Sequence, residues 1–166
     1  MGDMIDNFLK EFFVMRPKNE RLIGPHEGQE FDLIKRGNKT LAYFGPDSVS
    51  MHENYQKAKE LGLGELEFYF DPIEVDENIF LPRYKAVIFY VTGYEQKAKR
   101  LEKLLIEAIS LFGVNTKPKY LAGEREIGEL LGYSKKQIDA YIDFQENLLI
   151  KIAERKNKND QNYCCQ

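Results

Sequence analysis

Two stretches of this 166-residue chain hold residue types at spacings that chemistry can use. The first, Gly24-Pro25-His26-Glu27-Gly28-Gln29-Glu30, sets a histidine next to one carboxylate and four residues before another. Imidazole changes charge near neutral pH, and it acts as a general base when a carboxylate or carbonyl fixes its second ring nitrogen. With a helix starting near His26, Glu30 falls one turn further on, in place to orient the ring or share a metal with it. His26, Glu27 and Glu30 are therefore the candidate catalytic residues. The same segment reads equally as a turn whose histidine covers a helix start. The only other histidine is His52, HExxH is absent, and no third ligand is evident, so neither a metal nor a cofactor is assigned.

The second stretch runs from Arg125 to Ile138 (REIGELLGYSKKQI) and has the spacing of a helix-turn-helix. Small Gly128 permits close helix packing, Gly132 makes the turn, and Ser134 caps the second helix. Ile127, Leu131, Ile138 and Ile142 would hold the two helices together. In a DNA-binding version, Ser134, Lys135, Lys136 and Gln137 would begin the recognition helix. Asp139 and Asp143 on the same helix would repel phosphates, which favours a plain helical hairpin. The phrase Leu130-Leu131-Gly132-Tyr133 also resembles the Leu-Leu-Gly-Tyr-Pro-x-Cys-Cys signature of an uncharacterised prokaryotic family. Ser134 stands where that signature has proline, and Lys136 and Gln137 stand where it has cysteines. A metal or redox role of those cysteines is therefore not implied for this chain.

Other motifs are weaker. Thr92-Gly93-Tyr94 leads from a strand into a helix, where a phosphate can bind, but GxGxxG and GxxxxGK[ST] are both missing. Lys97, Lys99, Arg100 and Lys103 alternate with Glu95, Glu102 and Glu107 at helical spacing, as on a solvated face with ion pairs. GxSxG is absent, and the two cysteines, Cys164 and Cys165, are adjacent near the C-terminus.

Positioning these residues requires a scaffold whose elements the periodicity predicts. Met4–Met15 places Ile5, Phe8, Leu9, Phe12 and Phe13 on one helical face. Glu27–Arg36 is predicted helical, with acidic residues first, basic residues last and Gly37 as a terminator. Thr40–Phe44 is a short strand, and a helix follows from Asp47 or Ser48 to Leu61. Glu65–Phe70 alternates cleanly, and Lys85–Thr92 is apolar on both faces, as a central strand is. The acidic connection between those two strands, with Asp76 to Pro82 at its tip, is expected to be a mobile loop. Should the fold enclose a pocket, that loop is the expected lid, with Arg83 and Tyr43 among the lining residues. Tyr94–Phe112 carries the strongest helical stripe, through Ala98, Leu101, Leu105 and Ala108. A linker containing Pro118 then leads to helices at Glu124–Leu131 and Ser134–Lys156.

The expected fold is α+β: a small mixed sheet of about three strands, covered by helices, with an all-helical C-terminal third. Residues 1–156 are expected to form one compact domain and 157–166 a polar flexible tail. Composition agrees, with 43% hydrophobic and 31% charged residues. A net charge of −3 argues against nucleic acid as a partner, though it does not exclude it, and no apolar run is long enough to cross a bilayer. Residues 1–15 lack the pattern of a signal peptide, and a body without cysteine suits a reducing compartment, so the expected location is cytoplasmic. The expected function is a binding or regulatory protein acting through protein–protein contact. The alternatives are a DNA-binding regulator using a helix-turn-helix at 124–144, and a small enzyme built around His26, Glu27 and Glu30.

Overall fold

Ala86 and Ile88 project from one side of a strand, Val87 and Phe89 from the other, and all four are fully buried. A strand apolar on both faces must lie between two layers. The computed structural model, which describes residues 28–45, 51–76, 79–81, 83–111 and 117–163, builds those layers as follows. In chain order come α1 (Glu30–Lys35), β1 (Leu41–Phe44), α2 (Met51–Glu60), β2 (Gly64–Phe70), β3 (Ile73–Asp76) and β4 (Ile79–Leu81). They are followed by β5 (Tyr84–Tyr90), α3 (Glu95–Leu111), α4 (Lys117–Leu130) and α5 (Lys135–Tyr163). The fold is α+β with a helical C-terminal part.

β5 is the central strand, with β1 on one side and β2 on the other. Where a mixed sheet was expected, both ladders are antiparallel: Leu41 faces Tyr90, and Phe70 faces Tyr84. On one face, α1 and α2 cover Ala42, Phe44, Val87 and Phe89, with Ile34 and Ala58 buried against them. On the other, α3 lays Ala98, Leu101 and Leu104 over Leu41, Phe68, Phe70, Ala86 and Ile88. Fully burying one such large apolar side chain stabilises by about 1.5–3 kcal/mol, so these two clusters hold the layers together.

Three expectations change. The connection between β2 and β5 is not a loop: β3 and β4 pair antiparallel within it, so it extends the hairpin that β2 and β5 begin. The linker containing Pro118 is the first turn of α4. Proline is tolerated there because a first-turn N–H has no acceptor within the helix. The last helix runs to Tyr163, past Lys156 and through most of the expected tail. The expected helix at Met4–Met15 lies outside the described residues.

Between α4 and α5 the chain reverses at Gly132, whose φ of +76° suits glycine. Gly132 N–H donates to Glu129 O and Tyr133 N–H to Gly128 O, both at 3.0 Å, which closes the helix end as a Schellman motif. Ser134 then opens α5. Its Oγ accepts the Gln137 N–H at 3.3 Å, while Gln137 Oε1 accepts the Ser134 N–H at 2.8 Å, a reciprocal capping box.

Candidate functional site

Glu30, from the first of the two stretches singled out by residue type, is linked through Lys39 to the turn of the second. His26 and Glu27 lie outside the described residues, but Glu30 opens α1 and is only 7% exposed. The ammonium that Glu30 stabilises belongs to Lys39, which is 4% exposed. Burial holds the Lys39 pKa below its ordinary value, and the Glu30 charge partly restores it. Lys39 Cγ lies 3.5 Å from where a Cβ on Gly132 would be, and its Nζ sits 5.4 Å from the centre of the Tyr133 ring. A buried cation over an aromatic face thus ties the α1–β1 connection to the α4–α5 turn.

Around that turn, Ile127, Leu131, Ile138 and Ile142 are buried as the hairpin spacing requires. A Cβ added to Gly128 would stand 2.9 Å from Ile138 Cγ1, so the missing side chain is what lets α5 approach α4. Lys135 and Lys136 are exposed. The amide oxygen of Gln137 is engaged by Ser134, and Asp139 takes the Arg125 guanidinium at 2.6 Å.

On the sheet side of this hairpin lies a cavity of about 390 Å³. Tyr43 from β1, Phe70 from β2 and Tyr84 from β5 form its sheet wall. α3 adds Leu105, Ala108 and Ile109, and the hairpin adds Tyr133 and Tyr141. Such a volume, mostly apolar and placed between secondary-structure layers, is the size of a small-molecule site. Tyr43 was expected to line a pocket and does. Arg83, the other expected lining residue, instead lies 4.3 Å over the Tyr69 ring.

Glu124 is the carboxylate on this wall. It stands on the inward stripe of α4, one turn after Tyr120 and one turn before Gly128. Burial pushes its carboxyl pKa up, and hydrogen bonds from Tyr141 and Tyr120 oppose that only in part. Burial likewise raises the phenol pKa of Tyr120 and Tyr141. Gln145, 4% exposed on α5, completes the group. Its Nε2 donates to Tyr141 Oη at 2.8 Å, and its Oε1 accepts from Tyr120 Oη at 3.2 Å.

Counting protons in this group distinguishes two states. With Glu124 protonated, each member donates to the next: Gln145 to Tyr141, Tyr141 to Glu124, Glu124 to Tyr120, and Tyr120 to Gln145. The ring is then closed, with one donor for each link. With Glu124 ionised, both tyrosines turn their single hydroxyl protons to the carboxylate, and Gln145 Oε1 loses its donor.

Sequence reasoning missed this group, although the signal is present. Tyr120, Glu124, Ile127, Gly128 and Leu131 share one helical face, as do Ile138, Tyr141, Ile142, Gln145 and Leu149. A carboxylate on the first stripe and an amide on the second are polar residues at buried spacing. Beginning the helix at Glu124 hid the first stripe.

The remaining motifs are engaged in ordinary contacts. The Gly93 N–H, at the turn before α3, donates to Glu95 Oε1 at 3.1 Å, so a carboxylate already occupies that helix start. Arg100 forms two hydrogen bonds to Glu126 on α4, at 2.7 and 2.6 Å, and Lys103 pairs with Glu107 one turn along α3. Among the described residues, no three His, Cys, Asp or Glu side chains come together as metal ligands, and no helix is long and apolar enough to cross a membrane.

Comparison of the chain with protein-family models, with curated proteins and with solved structures returned no match.

Proposed function

We propose that this protein binds a small, largely apolar molecule in the cavity between the sheet and helices α3 to α5. The observation that carries the reading is the cavity itself, about 390 Å³ in a molecule whose opposite sheet face is filled by side chains. Its walls are aromatic and aliphatic, and a small polar group at Glu124 can fix the orientation of a bound molecule. With no cysteine in the described residues, the reading suits a cytoplasmic protein. The test is an Ala108→Phe variant, which fills the cavity from α3. Ligand-observed NMR against a library of small aromatic and alicyclic compounds should show binders of the native protein that the folded variant has lost. Binders retained equally by both proteins would place the site elsewhere.

A second reading, contact with another protein through the C-terminal helices, draws on Phe144 and Ile150. These α5 side chains remain 41% and 43% exposed. Phe144→Asp combined with Ile150→Asp should then abolish association measured by sedimentation without moving the thermal midpoint. Unchanged sedimentation of the double variant with its partner would remove this reading.

A further inference from the structure

We propose that the molecule held in the cavity is a small organic ammonium ion, its apolar body against Phe70, Leu105 and Ile109 and its charged nitrogen beside the Glu124 carboxyl. This inference rests on the reading of the cavity as a ligand site and names the ligand's chemistry. Three observations point to it.

The first is the sign of the charge on the walls. Glu124 lines the cavity, whereas no lysine, arginine or histidine does among the described residues. An anion there would meet a carboxylate and the negative faces of aromatic rings. A cation would meet the opposite: Tyr43, Tyr84 and Tyr141 line the space, and aromatic faces attract ammonium groups, more strongly once both are out of water.

The second is the proton count around Glu124. The ring through Tyr120, Gln145 and Tyr141 closes when the carboxyl is neutral and opens when it is ionised. An alkylammonium brings two or three N–H donors that the ionised carboxylate can accept. The third is the surroundings of the carboxyl. Among the described residues, the groups that act on it are the Tyr120 and Tyr141 hydroxyls, and no side-chain cation pairs with it.

The binding step balances as a proton exchange. A Glu124 carboxyl that is protonated breaks its O–H bond and releases that proton to the solvent, and the carboxylate accepts N–H hydrogen bonds from R–NH3⁺. No electrons move. Tyr120 turns its hydroxyl from Gln145 to Glu124 as this occurs.

Three probes with one apolar body and different charge test the proposal: 3-phenylpropylammonium, 3-phenylpropan-1-ol and 3-phenylpropionate. Ligand-observed NMR should rank the ammonium at least tenfold tighter than the alcohol, with the carboxylate not binding. With carbon-13-labelled glutamate, the Glu124 carboxyl resonance should shift as the ammonium is added and stay in place with the carboxylate probe. Glu124→Gln should bring the ammonium down to the affinity of the alcohol for the same variant. Should Glu124→Gln not fold, the carboxyl resonance of the native protein decides alone. Equal binding of ammonium and alcohol, with a stationary carboxyl resonance, would overturn this inference while the cavity remains a ligand site. Absence of binding by all three probes, and by the wider library, would overturn both.

Discussion

Val87 and Phe89 point to one face of β5, Ala86 and Ile88 to the other, and the two faces are filled differently. Under α1 and α2, the Phe31 ring stacks on Phe44 at 5.5 Å, and Tyr55 meets Phe89 edge-on at 5.3 Å. Aromatic rings close that interior. Under α3 and the hairpin, the helices cover the strands but leave about 390 Å³ open. Both faces use the same strands and the same alternation, so the difference lies in the covering helices. Ala108 is small where a filled core would carry a larger side chain, and Glu124 is polar where it would be apolar. Interiors are ordinarily packed to the density of organic crystals, so an interior left open forgoes contacts that a filled core would make.

The comparison breaks most readily at its extremes. Phe89→Ala should cost about 3–5 kcal/mol, as truncation of a fully buried aromatic does. In a chain of this length that corresponds to a fall in Tm of roughly 6–20 °C. Ile109→Ala, on the cavity wall, should cost less than half as much, because one side of that residue already lacks packing partners. Urea titration of the two variants decides the matter, and equal losses would mean that the faces do not differ.

Gly128→Ala is the next largest effect. The added methyl meets Ile138 Cγ1 at 2.9 Å and should cost about 1–3 kcal/mol despite alanine's better helix propensity. A double-mutant cycle with Ile138→Ala should return a coupling above about 0.5 kcal/mol, and additive effects would show that the hairpin does not depend on this contact.

A smaller change follows from Glu124. Its folded-state pKa is raised, so the native protein binds more protons than the unfolded chain from the ordinary carboxyl range up to that raised value. Stability from this group is therefore fully present at low pH and is lost as pH rises through that window. Glu124→Gln should flatten this decline, which denaturant titrations at several pH values would reveal. An identical slope in native and variant protein would place the Glu124 carboxyl in a water-like setting. The smallest effect is Arg100→Ala. Its bond to Glu126 joins α3 to α4, but the side chains are 45% and 39% exposed, so the loss should be small and should shrink in salt.

Much of the scaffold was legible because local rules and tertiary packing agreed. The alternation at Leu66, Phe68 and Phe70, the two-sided apolarity of β5, and glycines at 37 and 132 each predicted the element that formed. The hairpin of α4 and α5 was legible from Gly128, Gly132 and Ser134 because those residues answer to steric and capping requirements visible in a single short stretch. Two things hid the rest. Asp76 to Pro82 reads as loop by composition, and only pairing across the turn reveals β3 and β4. The cavity group joins Tyr120 and Glu124 to Tyr141 and Gln145, and that closeness is created by helix packing rather than by spacing along the chain. Glu30 shows the converse. Its carboxylate was legible as chemistry, but folding set it against Lys39.

α5 has 29 residues and α4 has 14, so at 1.5 Å per residue they run about 44 Å and about 21 Å. Both meet at Gly132, which makes the longer helix a lever with its short arm on the cavity wall at Ile138 and Tyr141. A tilt of about 5° at the turn, too slight to break the contacts of Ile138 and Ile142, would carry the far end of so long a helix through roughly 4 Å. Displacements of a fraction of an ångström beside Glu124 are thus magnified with distance along α5, and a distance probe near Tyr163 would register them most clearly.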